Sequence, residues 1–288
     1  MSFRKLSEIV EMADRKNKEF WEPVIEEDMK ERNVSFAESF ETMRQMLHAM
    51  KEADRGYDPL LRSASKISGG DGAKMEEFRK NGTSLAGDFI LLVMEKAIKM
   101  GESNACMKRI VAAPTAGSCG VIPAVLLSYE EEKQVPEERL VEALFVAAGI
   151  GEVLANSASI SGAEGGCQAE IGSASAMAAG AVTYLEGGDS QSIVHAAALA
   201  LKNMLGLTCD PVGGLVEVPC IKRNVSGAVN AITSSQLALA GIKSAIEPDE
   251  VIDSMRRIGK LIPECLKETA KEGLAITPSA LRAIKISS

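Results

Sequence analysis

Three cysteines stand in segments whose composition lets the backbone bend around a bound group. Cys167 lies in Gly-Ala-Glu-Gly-Gly-Cys-Gln-Ala-Glu (162–170), and Cys209 and Cys220 begin and end Cys-Asp-Pro-Val-Gly-Gly-Leu-Val-Glu-Val-Pro-Cys (209–220). Cysteines that only fill a core usually have apolar neighbours, whereas these are surrounded by Gly, Pro and acidic residues. Three thiolates that converged on a four-iron, four-sulfur cluster would leave one iron without a protein ligand. That iron could act as a Lewis acid on a substrate.

The spacing of these cysteines does not by itself decide between a metal site and ordinary packing. Cys167 and Cys209 are 42 positions apart, and Cys209 and Cys220 are 11 apart. Ferredoxins and zinc ribbons have much tighter spacings. From the residues alone, a shared metal and three small buried side chains both stay open.

The composition of the 288 residues indicates an all-α protein that binds neither nucleic acid nor a membrane. Hydrophobic residues make up 46% but aromatic residues only 4%, which favours close-packed helices over a β-sandwich. The net charge of −8 leaves no broad basic excess for phosphates. The first residues, Met-Ser-Phe-Arg-Lys, lack the apolar core of a signal peptide, and no run of about 18 apolar residues suggests a membrane span. We therefore expect a cytoplasmic protein, in which cysteines are free thiols or metal ligands.

Apolar spacing and end signals predict the helices. A capping box at Ser35–Glu38 begins a helix that ends at Asp54–Gly56, and Ser68–Gly72 is expected to be a loop. The other predicted helices are Ser84–Met100 (stopped by Gly101), Pro136–Ala148, Ser190–Leu205 (capped by Ser190), Ser226–Ala245, Glu250–Ala270 and a short one from Thr277–Pro278.

Small residues dominate the middle of the chain. Gly172, Ala176 and Gly180 are spaced by four, so a helix there would present a smooth stripe that another backbone can approach closely. Strand signals are weak and are confined to Leu215–Val218. We predict one compact all-α domain over 1–288, with 1–34 as a charged N-terminal helical extension of the main region 35–285.

Two further segments and the cysteine motifs together resemble a known family. Pro-Thr-Ala-Gly-Ser-Cys-Gly (114–120), 162–173 and 209–220 are similar to the catalytic domain of bacterial iron–sulfur L-serine dehydratases, as are Ser-Gly-Gly-Asp (68–71) and Asn-Val-Ser-Gly (224–227). The resemblance covers roughly residues 35–285. It implies an all-helical domain that holds a 4Fe-4S cluster through Cys167, Cys209 and Cys220. It also implies conversion of L-serine to pyruvate and ammonia.

The sequence departs from the family pattern in two ways, which bear on the expected partner chain and on what occupies the open iron in the absence of substrate. Single-chain members carry an extra N-terminal domain with a Ser-Ser-Ser-His-Thr motif, which this sequence lacks. It therefore resembles the alpha chain of the two-subunit form, with a beta chain as its partner. Some members end in a cysteine that reaches the open iron, whereas the last cysteine here is Cys265 and the sequence ends Ile286-Ser-Ser288. We expect that plug to be missing.

Candidate substrate-binding residues lie in the 114–120 segment and directly after Cys220. Backbone N–H groups before the following helix, with hydroxyls from neighbouring side chains, suit a carboxylate. The alternatives are an ordinary capped loop and a solvated basic pair. The predicted catalytic residues are Thr115, Ser118 and Lys222, and the predicted substrate-binding residues are Thr115, Gly117, Ser118 and Arg223.

The remaining chemical side chains are given smaller roles. Glu164 and Glu170 flank Cys167 and either orient the cysteine loop or are solvated carboxylates. His195 stands on an apolar helix and is expected in the core, while His48 is expected on the surface; neither is a convincing base for the α-proton, which the partner could then supply. Three cysteines are assigned to packing: Cys106, Cys119 and Cys265.

Three other functions compete with serine dehydration. An iron–sulfur cysteine desulfidase would use the same three cysteines, and sequence separates it poorly. An iron–sulfur redox or oxygen sensor would need an output module, and none is recognisable. A pyridoxal-phosphate dehydratase needs a Schiff-base lysine beside a glycine-rich phosphate loop, and the glycine-rich Gly69–Gly72 lacks a suitable lysine.

Overall fold

The protein is all-α, as the sequence predicts. The computed structural model describes residues 3–82 and 84–287, and in this part of the chain no strand forms; Met1, Ser2 and Ser288 of the predicted ranges lie outside it. The helices are α1 (Leu6–Lys16), α2 (Trp21–Arg32), α3 (Phe36–Arg55), α4 (Asp71–Asn81), α5 (Gly87–Ala105), α6 (Val121–Lys133), α7 (Glu137–Ser157), α8 (Gly162–Gly165), α9 (Ser173–Leu185), α10 (Ser190–Met204), α11 (Cys220–Leu239), α12 (Pro248–Leu261) and α13 (Pro278–Ser287).

Helix α9 is the centre of the core. Its residues from Ser173 to Tyr184 are all buried, and α6, α7, α10 and α11 pack around it. The predicted small-residue stripe explains how they come so close. A Cβ added at Gly180 would lie 2.2 Å from the Cδ1 atom of Ile150 on α7, and one at Gly172 would lie 3.2 Å from the Cβ atom of Met204 on α10. Glycine at these positions therefore sets the helix spacing.

The N-terminal helices share the same hydrophobic core as the rest of the chain. Phe3, Leu6 and Ile9 are buried in it, and α2 and α3 pack on α7. Four aromatic side chains pack against one another between α2, α3 and α7: Trp21, Phe36, Phe40 and Phe145.

Several predicted ends are confirmed. The Ser35 N–H donates to Glu38 Oε2 at 2.8 Å and the Glu38 N–H donates to Ser35 Oγ at 3.3 Å, which is the predicted capping box. Helix α3 ends before Gly56. Helix α13 begins at Pro278. Each of these ends is marked by residues that lie next to it in the sequence, so it can be predicted from the sequence alone.

Other predicted ends are wrong because a tertiary contact overrides the local signal. Helix α5 continues through Gly101 to Ala105; a Cβ at Gly101 would lie 3.2 Å from Ile221 Cγ2, so this glycine serves helix packing. Helix α4 begins inside the expected loop, at Asp71, because buried Glu102 accepts the N–H groups of Asp71 and Gly72 at 2.8 and 3.1 Å.

Further corrections concern caps and lengths. Asp189, and not Ser190, caps α10 by accepting the Ser192 N–H at 2.7 Å. Pro136 precedes α7 as its cap residue, and α7 extends to Ser157. The weak strand expected at 215–218 does not form. Helix α11 begins six residues earlier than predicted, at Cys220, and α12 ends at Leu261, so that 3₁₀ turns at Glu264–Leu266 and Gly273–Ile276 follow it.

One helix in the described ranges, α7, is long and apolar enough to cross a membrane by length and composition. In the fold 61% of its most apolar window is buried against other helices. A core helix of this kind passes the same test, so the finding is weak evidence for a span.

Candidate functional site

The ends of three helices bring Cys167, Cys209 and Cys220 together. Cys167 precedes α9, Cys209 follows α10, and Cys220 is the first residue of α11. All three thiols are buried and none forms a disulfide. Cys209 Sγ lies 3.9 Å from Glu170 Oε2, three residues after Cys167, and the Arg223 guanidinium lies near both Cys167 and Cys220. The structure thus gathers three cysteines that are distant in sequence.

Burial keeps these thiols protonated in the absence of a bound group. It raises the pKa of Cys167 to about 11 and that of Cys220 to about 12, and it also raises the pKa of Cys209. The nearby Arg223 guanidinium opposes this effect at Cys167 and Cys220. A metal that binds a thiol displaces its proton, so such a set is suited to soft metal ions.

A buried glutamine joins the Cys167 segment to the Cys209 segment. Gln168 is fully buried; its Oε1 accepts the Gly206 N–H at 2.9 Å and its Nε2 donates to Met255 O at 3.0 Å. Its own N–H donates to Leu207 O at 3.1 Å. Residues Gln168–Gly172 form a π-helix, a local irregularity that is frequent at functional sites.

The Cys209 loop is fixed from two sides. The Cys209 N–H donates to Leu266 O at 2.8 Å, so the segment after α12 runs beside it. On the other side, Arg223 Nη1 donates to Thr208 O at 2.7 Å and its Nη2 to Asp210 Oδ1 at 3.0 Å. Arg223 therefore holds the residues immediately before and after Cys209.

The predicted 114–120 loop lies next to the cysteines and is linked to them through Glu170. Thr115 Oγ1 donates to Glu170 Oε1 at 2.8 Å, and Cys209 Sγ lies 3.9 Å from Glu170 Oε2. Ser118 is fully buried, and its Oγ accepts the Thr115 N–H at 3.3 Å. Burial raises the pKa of the Glu170 carboxyl. Glu170 thus stands between the loop and the thiols.

Asn224 connects two parts of the site, a role that its place in the Asn-Val-Ser-Gly motif (224–227) does not predict. It is 1% exposed; its Nδ2 donates to Gly117 O at 2.8 Å and to Cys220 O at 2.9 Å. Its Oδ1 accepts the Gly120 N–H at 2.8 Å. One side chain thereby fixes the 114–120 loop to the first turn of α11.

The other chemical side chains lie farther out. Lys222 is exposed, and its Nζ donates to Asp71 Oδ2 at 2.6 Å; this bond is the main reason that the pKa of Asp71 falls to about 2. Glu164 is exposed and accepts from Ser159 Oγ at 2.8 Å. His195 is buried on α10 and His48 is exposed on α3, beside Glu137.

The three cysteines assigned to packing have different surroundings. Cys119 is buried, and burial raises its pKa to about 12. Cys106 and Cys265 are half-buried. Cys265 lies next to Leu266, whose carbonyl accepts the Cys209 N–H.

Cysteine thiols are the donors that iron–sulfur clusters use. Within the described ranges, no three His, Cys, Asp or Glu side chains are arranged to hold one metal ion. The cysteines of a cluster bind different irons, so their sulfurs need not share one centre. A Cβ at Gly162 would lie 3.1 Å from Cys209 Sγ, so glycine lets the backbone approach this thiol. Three buried free thiols are chemically suited to such a cluster.

Comparison with known proteins identifies the family of this chain. The sequence model for the serine dehydratase alpha chain matches residues 15–275. This chain belongs to that family. It is 44% identical over 278 residues to a probable L-serine dehydratase alpha chain of Bacillus subtilis, covering 96% of this chain and 92% of the relative. It is 38% identical over 271 residues to the L-serine dehydratase alpha chain of Peptoniphilus asaccharolyticus, covering 93% and 92%.

One longer relative matches this chain over only about half of its own length. The L-serine dehydratase of Helicobacter pylori is 40% identical over 248 residues, which is 82% of this chain but 54% of the relative. About half of that protein therefore has a counterpart in the chain described here.

Replacing Asn224 by alanine should loosen the connection between the 114–120 loop and α11. Three hydrogen bonds disappear, and the buried Gly120 N–H loses its acceptor, so we expect a loss of roughly 1–3 kcal/mol in unfolding free energy. Urea unfolding of the cluster-free protein measures this. Asn203→Ala is the control, because Asn203 is exposed and bonds only to Asn230. Equal stability of the two variants would contradict the role of Asn224.

Proposed function

We propose that this chain is the alpha chain of an L-serine dehydratase, which converts L-serine to pyruvate and ammonia together with a separate beta chain. One observation carries the proposal: three buried thiols from separate segments meet beside the 114–120 loop, in a member of the serine dehydratase alpha chain family. The names of the relatives from Bacillus subtilis and Peptoniphilus asaccharolyticus, both L-serine dehydratase alpha chains, support it.

Cys167, Cys209 and Cys220 are the proposed ligands of a 4Fe-4S cluster. When bound, such a cluster supplies an iron without a thiolate ligand, which can polarise a substrate hydroxyl or carboxylate. Gln168 and Arg223 hold the backbone around Cys167 and Cys209, and Asn224 holds the carbonyl of Cys220. Second-layer contacts of this kind orient metal ligands and tune their affinity.

The 114–120 loop is the proposed substrate-binding element. Thr115, Gly117 and Ser118 are assigned to the substrate carboxylate. The Thr115 hydroxyl donates its single proton to Glu170, and this bond positions the start of the loop. Arg223 is assigned to the same carboxylate; a guanidinium has five N–H donors, and the bonds to Thr208 and Asp210 occupy only part of them. Lys222, whose ammonium group donates to Asp71, is the remaining residue assigned to catalysis.

The proposed reaction is an elimination without electron transfer. L-Serine loses its α-proton and its hydroxyl group as water, and the resulting enamine tautomerises and is hydrolysed to pyruvate and ammonia. The α-proton must go to a base. The charged groups near His195 are Lys243, Glu247, Asp189 and Lys202, and His48 pairs with Glu137. In the described part of the chain, neither histidine forms a hydrogen bond with the cysteine group. We assign the base to the beta chain.

Replacing any one of the three proposed ligands should abolish cluster binding. Cys167→Ala, Cys209→Ala and Cys220→Ala each remove one of three thiols, so anaerobically reconstituted protein should lose most of its iron and sulfide. The controls are Cys106→Ala and Cys265→Ala, which should retain both. Iron retained by Cys209→Ala and lost by Cys265→Ala would show that the ligand set is wrong.

The cluster-loaded chain alone should have little activity, and co-expression with a beta chain should restore it. We expect pyruvate and ammonia in equal amounts from L-serine, and much less product from D-serine, because one face of the substrate is held. Assays with L-cysteine in parallel test for desulfidase activity. Turnover by the isolated chain would place the base within these 288 residues, and preferential sulfide release from L-cysteine would overturn the assignment of substrate.

A further inference from the structure

The Glu170 carboxylate lies where the loops of the site meet. One oxygen, Oε1, accepts from Thr115 Oγ1 at 2.8 Å, and the other, Oε2, lies 3.9 Å from Cys209 Sγ. The side chain is half-buried, so a small molecule in the site can reach it. Glu170 therefore contacts both the proposed substrate loop and a proposed ligand.

This carboxylate has no cation of its own. Among residues 3–82 and 84–287, Glu170 forms no ion pair, although many other carboxylates do, including Asp210 with Arg223. The charged side chain that acts on it is Glu268, which is also negative. Keeping a carboxylate ionised away from water is costly, and a cationic ligand would offset that cost.

Two glycines let the backbone approach both oxygens of Glu170. A Cβ at Gly117 would lie 3.0 Å from Oε1, and one at Gly162 would lie 2.8 Å from Oε2. Neither glycine has a positive φ, so the backbone conformation does not require glycine at these positions. A larger side chain at either position would collide with the carboxylate.

We propose that Glu170 binds the α-ammonium group of the substrate amino acid. This inference rests on the proposed function and adds how the substrate's amino group is recognised. An ammonium offers three N–H donors, and an ionised carboxylate has about four acceptor positions, of which Thr115 uses one. With its carboxylate on the 114–120 loop and its ammonium on Glu170, an α-amino acid fits the site better than a 2-hydroxy acid.

The test compares L-serine with L-glycerate, in which a hydroxyl replaces the ammonium group, on cluster-loaded enzyme assembled with its beta chain. In Glu170→Gln the KM for L-serine should rise about tenfold or more, because a charge-assisted hydrogen bond is lost. The inhibition constant of L-glycerate should stay close to its wild-type value. The turnover number should also change little, as expected for a contact made equally in ground and transition states.

Two further variants keep the result interpretable. Glu164→Gln removes an exposed carboxylate near Cys167 and should leave both constants unchanged. Glu170→Asp keeps the charge, so it should raise the KM for L-serine less than Glu170→Gln does and leave the inhibition constant of L-glycerate unchanged. If Glu170→Gln fails to hold iron, the comparison of Glu170→Asp with the wild type tests the inference. The iron content of each preparation is measured before the assays.

Parallel weakening of L-serine and L-glycerate in the Glu170 variants would overturn the inference. So would a loss of turnover with an unchanged KM for L-serine. Absence of L-serine turnover in the wild-type assembly would instead defeat the proposed function, and the two failures are therefore distinguishable.

Discussion

The close packing of α9, α10 and α11 is the constraint on which the site depends. Glycines at 172, 180 and 227 let these helices and α7 approach each other; a Cβ at Gly227 would lie 2.9 Å from Ile171 Cγ2. Helix α10 runs antiparallel to α9, with Met204 beside Gly172 and Ile193 beside Gly180. The start of α9, the end of α10 and the start of α11 therefore meet. Cys167 precedes α9, Cys209 follows α10, and Cys220 is the first residue of α11.

Polar side chains then fix what the packing brings together. Buried polar groups are stable only when they are hydrogen-bonded, and their loss is expensive because the partner group is left unpaired. Gln168 connects the Cys167 and Cys209 segments, Arg223 holds both sides of Cys209, and Asn224 joins the 114–120 loop to Cys220. Together they give a site with defined geometry at the end of a core built mainly of Ala, Val, Ile and Leu.

The all-α class and several helix ends could be predicted from the sequence. The class follows from the overall composition, and a helix end often depends on only a few neighbouring residues. Ser35 and Pro278 are examples of ends set by neighbouring residues. It failed at Gly101 and Asp71, where the deciding contacts come from Ile221 and Glu102, 120 and 31 positions away along the chain. Contacts between distant segments explain these two errors, whereas the error at α10 was local, because Asp189 and not Ser190 accepts the Ser192 N–H.

For the site, the sequence singled out the three cysteines and the 114–120 loop, which the structure places together. It could not show that Glu170 lies between them or that Asn224 connects them, because both facts depend on how distant segments pack. Gly117 and Gly162 can be read from the sequence, but their contact with the Glu170 carboxylate depends on the fold.

The central claim is that the three thiols hold one cluster with an iron open to substrate. Electron paramagnetic resonance of the reduced, cluster-loaded protein, recorded with and without L-serine, tests it most directly. We expect a single cluster signal whose g-values shift when L-serine is added and stay the same when D-serine is added. A cluster signal that L-serine leaves unchanged, in protein that forms pyruvate with the beta chain, would contradict the claim.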